Sequence, residues 1–197
     1  MKAQFRTTFV LLALAMPCLL FQSLGQGTIT ITFDGPPVQP PASSYSITQY
    51  EESGMLFEPI PPDMFISRTV SGVPLSPDNG TAYVQGGSLM CLFVDGLLFN
   101  LISVDLAGYS TVVPDGTIRF VGYQSGGASV NTDFVLDGIV FQTVNFGPEF
   151  SNLTRVEIST EDAWSLDNLT VFQIPEPVTG ALLVVGGFLL WAERRRR

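Results

Sequence analysis

The sequence contains no histidine, and its only lysine is Lys2. Without imidazole there is no Ser-His-Asp triad and no histidine-ligated zinc, and without an interior lysine there is no Schiff base. Cations of any kind are scarce. Of the nine, six lie near the ends (Lys2, Arg6, Arg194, Arg195, Arg196 and Arg197), leaving Arg68, Arg119 and Arg155 against sixteen carboxylates in residues 26–174, a net charge of −13. So negative a body repels phosphate backbones, and no nucleic-acid partner is expected. Cysteine is nearly absent too. Cys18 falls in a leader-like segment and Cys91 in an apolar run, so no intrachain disulfide is expected after processing. Cys91 reads as a small buried hydrophobe.

What is present at the N-terminus is a short basic region followed by an apolar run. Lys2 and Arg6 precede residues 9–21, apolar apart from Pro17, and Ser23-Leu24-Gly25 supplies the small residues a signal peptidase reads. As a helix the run would span about 20 Å, short of the roughly 30 Å hydrocarbon core, so it suits a leader better than an anchor. Residues 1–25 are therefore expected to be a secretory signal peptide.

Between the termini no 3.6-residue stripe is long enough for a helix. Thr28-Ile29-Thr30-Ile31-Thr32-Phe33 alternates hydroxyl and apolar side chains and ends at Asp34-Gly35, which reads as a half-buried strand and a turn. Proline-rich loops follow at 36–41, 59–62 and 74–80. From residue 81 turn signals recur at Gly86-Gly87, Asp95-Gly96, Asp115-Gly116, Gly126-Gly127, Asp137-Gly138 and Gly147-Pro148, separating runs rich in Val, Ile, Phe and Thr. The runs at 89–94, 97–106, 117–123, 128–136, 139–146, 153–159 and 164–172 are expected to be strands. About ten strands in all predict an all-β fold, an antiparallel β-sandwich of jelly-roll-like topology over residues 26–174. In the 117–123 run, Ile118, Phe120 and Gly122 share the inner face and Arg119 faces solvent.

The tail is organised differently. Pro175-Glu176-Pro177 is followed by the uncharged residues 178–192, then Glu193 and the four terminal arginines. Fifteen helical residues reach about 22 Å, enough for a single transmembrane helix only with local thinning of the bilayer or arginine snorkelling. The arginines place the C-terminus in the cytoplasm and the acidic domain outside. These three parts in this order resemble the PEP-CTERM sorting signal of bacterial exported proteins. The resemblance assigns Pro175, Glu176, Pro177, Arg194, Arg195, Arg196 and Arg197 to the signal (residues 175–197). It implies recognition by exosortase, a membrane transpeptidase-like enzyme, in bacteria that make an exopolysaccharide matrix. Trp164-Ser165-Leu166-Asp167-Asn168-Leu169-Thr170-Val171 is similar to the Asp-Asn-hydrophobic-x-Val strand that closes many domains carrying this signal, and Ile31-Thr32-Phe33-Asp34 and Tyr50-Glu51-Glu52 are more loosely similar to such domains. Their folds are generally jelly-roll-like and their activities unassigned.

Chemistry in the body is sparse. If the first and last strands approach, Asp34, Glu52 and Asp167 converge on one edge as hard oxygen donors of the kind Ca²⁺ requires, and by resemblance sandwich carbohydrate-binding modules hold a structural calcium there. The bland alternative is that Asp34-Gly35 is an ordinary turn and that Asp167-Asn168 satisfies backbone donors. A glycosidase pair would have to come from Glu157, Glu161 and Asp162. In an extended strand Glu157 and Glu161 stand about 13 Å apart, beyond the roughly 5–9.5 Å that such mechanisms use, so no enzyme is expected. Trp164, Tyr109, Tyr123 and Tyr83 are candidates for stacking on sugar rings, though Trp164 reads more readily as core. Asn79-Gly80-Thr81, Asn152-Leu153-Thr154 and Asn168-Leu169-Thr170 match the glycosylation sequon, as chance allows in a threonine-rich chain. The sequence thus predicts a non-enzymatic exported surface or matrix protein associated with exopolysaccharide, handled by signal peptidase and exosortase and membrane-held through its tail before processing. A carbohydrate-binding module is the alternative.

Overall fold

Alternating side chains give this chain strands with one buried face, and the computed structural model, which describes residues 27–34, 44–60, 64–68 and 76–174, contains eleven of them and no helix among those residues. The expected leader (1–25) and the sorting tail with its transmembrane helix (175–197) lie outside the described residues. The strands are β1 (Thr28–Ile31), β2 (Ser44–Ile47), β3 (Tyr50–Glu52), β4 (Met55–Ile60), β5 (Met64–Arg68), β6 (Ala82–Phe93), β7 (Phe99–Gly108), β8 (Asp115–Gln124), β9 (Ser129–Asp137), β10 (Gln142–Asn145) and β11 (Leu153–Gln173).

Two long strands, β6 and β11, tie the sandwich together. The first half of β11 lies between β8 and the second half of β6, with Val156 opposite both Gly122 and Cys91. Beyond Ser159 the ladder shifts register, and from Trp164 onward β11 lies against the start of β6, then β1, on one edge and β7 on the other. The β7 partners run from Gly108 opposite Trp164 to Phe99 opposite Gln173. One group of strands is therefore β9, β8, the first half of β11, the second half of β6, β4 and β3. The other is β10, β7, the second half of β11, β1, the start of β6, β5 and β2.

Aromatic rings join the two groups. Phe120 of β8 and Phe146 just after β10 have ring centroids 5.0 Å apart, and Phe134 and Phe150 complete the cluster. A second cluster, Phe33, Tyr50 and Phe57, fills the region under β3 and β4. On β8, Ile118, Phe120 and Gly122 are buried and Arg119 lies on the outer face, where it makes two bonds of 2.8 Å to Asp133 of β9. Gly122 is closely packed: a Cβ there would meet the tip of the Leu153 side chain at 2.9 Å and Val130 at 3.2 Å, so a larger residue requires Leu153 to move.

Some expected turns and strand limits are corrected. Gly86-Gly87 is not a turn but lies inside β6, opposite Trp164, whose indole nitrogen donates to the Gly87 carbonyl at 2.8 Å. The runs at 153–159 and 164–172 form one strand, because the polar residues between them are absorbed as a bulge and do not end the ladder. Trp164 is fully buried, in keeping with its reading as a core residue, so it presents no ring face to a sugar.

Removing a fully buried ring from the aromatic cluster leaves a cavity, so Phe120→Ala is expected to destabilise the protein by about 3–5 kcal/mol in chemical denaturation. Burial also pushes the Cys91 thiol up to about 12. An alkylating reagent is therefore expected to label Cys91 only once the protein is unfolded, and rapid labelling under native conditions would contradict its place in the core.

Candidate functional site

Where β1 stops and β6 starts, two strand ends meet along the same edge of β11: Ile31 lies opposite Leu169, and Val84 opposite Leu166. Backbone groups at such a break lose their ladder partners and need others. Asp34, just past β1, supplies one, its Oδ1 accepting the Ala82 N–H at 3.0 Å. Asp167, in β11 itself, is the centre of the junction. Its Oδ2 accepts from Asn79 Nδ2 at 2.5 Å and lies 2.8 Å from Thr81 Oγ1, while Oδ1 accepts the Asn168 N–H at 2.7 Å.

Asn168 makes the inward turn of Asp167 possible. It takes a left-handed conformation with φ 48°, which asparagine tolerates better than most residues, and β11 gains one residue against β7 between Asp167 and Thr170. Its side chain donates to Asp105 Oδ2 at 2.8 Å, and Asp105 Oδ1 accepts from Thr143 Oγ1 at 2.5 Å. Three carboxylates thus knit together the ends or edges of β1, β6, β7, β10 and β11.

The charge on Asp167 is nevertheless unfavourable. Burial raises its pKa from 3.8 to about 6, its three hydrogen bonds oppose the rise, and the negative charge of Asp34 adds to it. A carboxyl so placed exchanges a proton close to neutrality.

Glu52, the third member of the expected calcium set, has a different task. Oε1 accepts the Thr32 N–H at 3.1 Å, and Oε2 accepts the Phe33 N–H at 3.0 Å and the Tyr50 hydroxyl at 2.7 Å. Phe33 has φ 55°, costly for a bulky residue, and the carboxylate and the surrounding rings hold it there. Asp34 and Asp167 therefore share the junction, whereas Glu52 bridges β3 to the end of β1. Among the described residues no group of three or more Asp, Glu, Cys or His side chains is arranged to hold a metal ion.

On the outer sheet face, Tyr123 of β8 is opposite Arg155 of β11, whose guanidinium carbon lies 4.1 Å above the ring centroid. Glu157 accepts the Tyr123 hydroxyl at 2.8 Å and pairs with Arg155 at 3.2 Å. One face of the Tyr123 ring is thus covered. Tyr109 is 37% exposed, and Tyr83 is buried with its hydroxyl on the Pro77 carbonyl. The side chains of Glu161 and Asp162, like the tail residues Pro175, Glu176, Pro177 and Arg194 to Arg197, lie outside the described residues.

No protein-family model matches the sequence, and no curated protein does. Among solved structures the chain is similar to the CBM22-1 xylan-binding domain of Paenibacillus barcinonensis Xyn10C, at 7% identity and a TM-score of 0.41, covering 79% of this chain and 99% of that one. It is also similar to the CBM22-1-CBM22-2 tandem domain of the same protein, at 9% identity and a TM-score of 0.44, over 79% of this chain and 49% of that one. With the CBM22-1-GH10 modules of Clostridium thermocellum xylanase 10B, crystallised with xylohexaose, the identity is 10% and the TM-score 0.41, covering 75% of this chain. The match spans 28% of that xylanase chain's length.

Asn79, Thr81, Asp105, Asn168 and Thr143 were not singled out as site residues by sequence reasoning. The one local signal was the run Asp78-Asn79-Gly80-Thr81, whose side chains favour bonds to nearby backbone. Because the folded pKa of Asp167 lies above its unfolded value, the stability it contributes is complete below its unfolded pKa of 3.8 and is lost as pH rises through about 6. The loss is on the order of 3 kcal/mol. Melting temperatures across this range are expected to fall with rising pH more steeply for the wild type than for Asp167→Asn, and parallel curves would refute the assignment.

Proposed function

We propose that the chain is an exported surface or matrix protein whose acidic β-sandwich is delivered through an exosortase-type C-terminal signal and has no catalytic role. The observation that carries this reading is the sequence of the tail: Pro175-Glu176-Pro177, then the uncharged residues 178–192, then the arginines Arg194, Arg195, Arg196 and Arg197. The leader-like residues 1–25 support export by signal peptidase, and four arginines beyond an apolar run favour a cytoplasmic C-terminus before processing. Strand β11 ends at Gln173, so the signal follows the sandwich with almost no linker. The pairing of β1 with β11 supports a jelly-roll-like reading of the strand order.

Association with polysaccharide is a second reading, favoured by the outer face that carries Tyr123, Arg155 and Glu157. A ring flanked by charged hydrogen-bonding groups is the kind of surface that sugar hydroxyls and C–H faces recognise. A glycan array with the purified protein tests it, and binding to no glycan would leave the structural role alone.

The sorting claim is tested by intact-mass measurement of protein recovered from the cell surface of a host that has an exosortase. The wild-type chain is expected to end close to Pro175. Replacing Pro175, Glu176 and Pro177 with alanine is expected to leave a membrane-associated chain extending to Arg197. Identical masses for the two proteins would overturn the proposal.

A further inference from the structure

Of the six asparagines in the sequence, only Asn79 is followed by glycine. Glycine lacks the Cβ that hinders attack by its own backbone nitrogen on the preceding side chain, and a Cβ placed at Gly80 would meet nothing within 4 Å, so the space around it is open. Each atom needed for that attack has a polar partner in the structure. The Gly80 N–H donates to Asp78 Oδ1 at 3.0 Å. Asn79 Oδ1 accepts from the Thr81 N–H at 3.1 Å and from Thr81 Oγ1 at 2.8 Å. Asn79 Nδ2 faces Asp167 Oδ2 at 2.5 Å.

We propose that Asn79 is a self-modification site, at which the surrounding side chains promote cyclisation onto Gly80 N and conversion of the asparagine to aspartate or isoaspartate. The Gly80 nitrogen forms a bond to Asn79 Cγ as its proton passes to Asp78. Negative charge develops on Asn79 Oδ1, where the two Thr81 donors stabilise it as an oxyanion hole does. The Cγ–Nδ2 bond then breaks, its electron pair leaving with nitrogen, and the neutral form of Asp167 supplies the proton that lets Nδ2 depart as ammonia. Solvent exchange restores the proton moved from Asp167 to Asp78. Water adds across either carbonyl of the resulting succinimide, giving aspartate or isoaspartate.

Neutral Asp167 helps twice. Thr81 Oγ1 is 2.8 Å from both Asp167 Oδ2 and Asn79 Oδ1, and its single proton serves one of them at a time. Once Asp167 is protonated it no longer needs that donor, and the hydroxyl is free for Asn79. The raised pKa of Asp167 keeps a share of this form present near neutrality. The product has the opposite effect on the fold. An amide donor facing the buried carboxylate of Asp167 becomes a carboxylate itself, so the β1/β6/β11 junction weakens irreversibly as the protein ages.

The test follows peptides covering Asn79 by mass spectrometry during incubation of the full-length protein at neutral pH, beside a synthetic peptide of residues 76–83. The folded protein is expected to convert faster than the peptide, with the other five asparagines unchanged. Asp78 is exposed, so Asp78→Ala leaves the fold intact, and it is expected to slow conversion in the folded protein by about tenfold or more. A folded protein that converts no faster than the peptide, or an unchanged rate in Asp78→Ala, would overturn the proposal.

Discussion

Everything in the sandwich is arranged around the hydrogen-bond ladder of β11. A 21-residue strand is too long to stay within one layer, so it hands its edges from one set of partners to another, β8 and the second half of β6 first, then the start of β6, β1 and β7. Each change of partner breaks the ladder, and a buried break leaves backbone groups that must find other acceptors. The bulge near Trp164 resolves the first break by packing. The junction of β1 and β6 resolves the second with side-chain carboxylates.

This explains how an acidic body with so few cations tolerates carboxylates near its core. Asp34, Glu52 and Asp167 bond mainly to backbone N–H groups, hydroxyls and an amide, and none of these bonds needs a counter-charge. The arrangement fixes strand ends well, because a carboxylate accepts several bonds at once. Its cost is concentrated at Asp167, where desolvation outweighs the hydrogen bonds and lifts the pKa. By contrast Asp133, paired with Arg119 in open solvent, has its pKa lowered, with the arginine hydrogen bond as the leading cause.

Strand content was legible because it depends on local alternation: Ile118, Phe120 and Gly122 inward with Arg119 outward can be read from one heptapeptide. Continuity was not. Thr160, Glu161 and Asp162 look like a loop to any local reading, and only the facing glycines of β6 and the buried Trp164 make a single strand of the segments on either side. Gly86-Gly87 misled for the same reason, since a glycine pair marks a turn and a crossing equally well until its neighbours are known. The closeness of Asp34 and Asp167 was readable from the habit of first and last strands to pair. Asn79 and Asp105 were not, because what brings them to Asp167 and Asn168 is the placement of a loop and an edge over separations of 88 and 63 residues.

The position of β11 also sets how the domain bears tension. Thr170, Val171 and Phe172 are flanked by β1 on one edge and β7 on the other, and in the sequence only Ile174 separates Gln173 from the proline-bounded tail. A pull along the axis of β11 would load the hydrogen bonds on both of its edges together in shear instead of opening them one after another. Displacement of β11 along its own axis thus disturbs partners in both groups of strands.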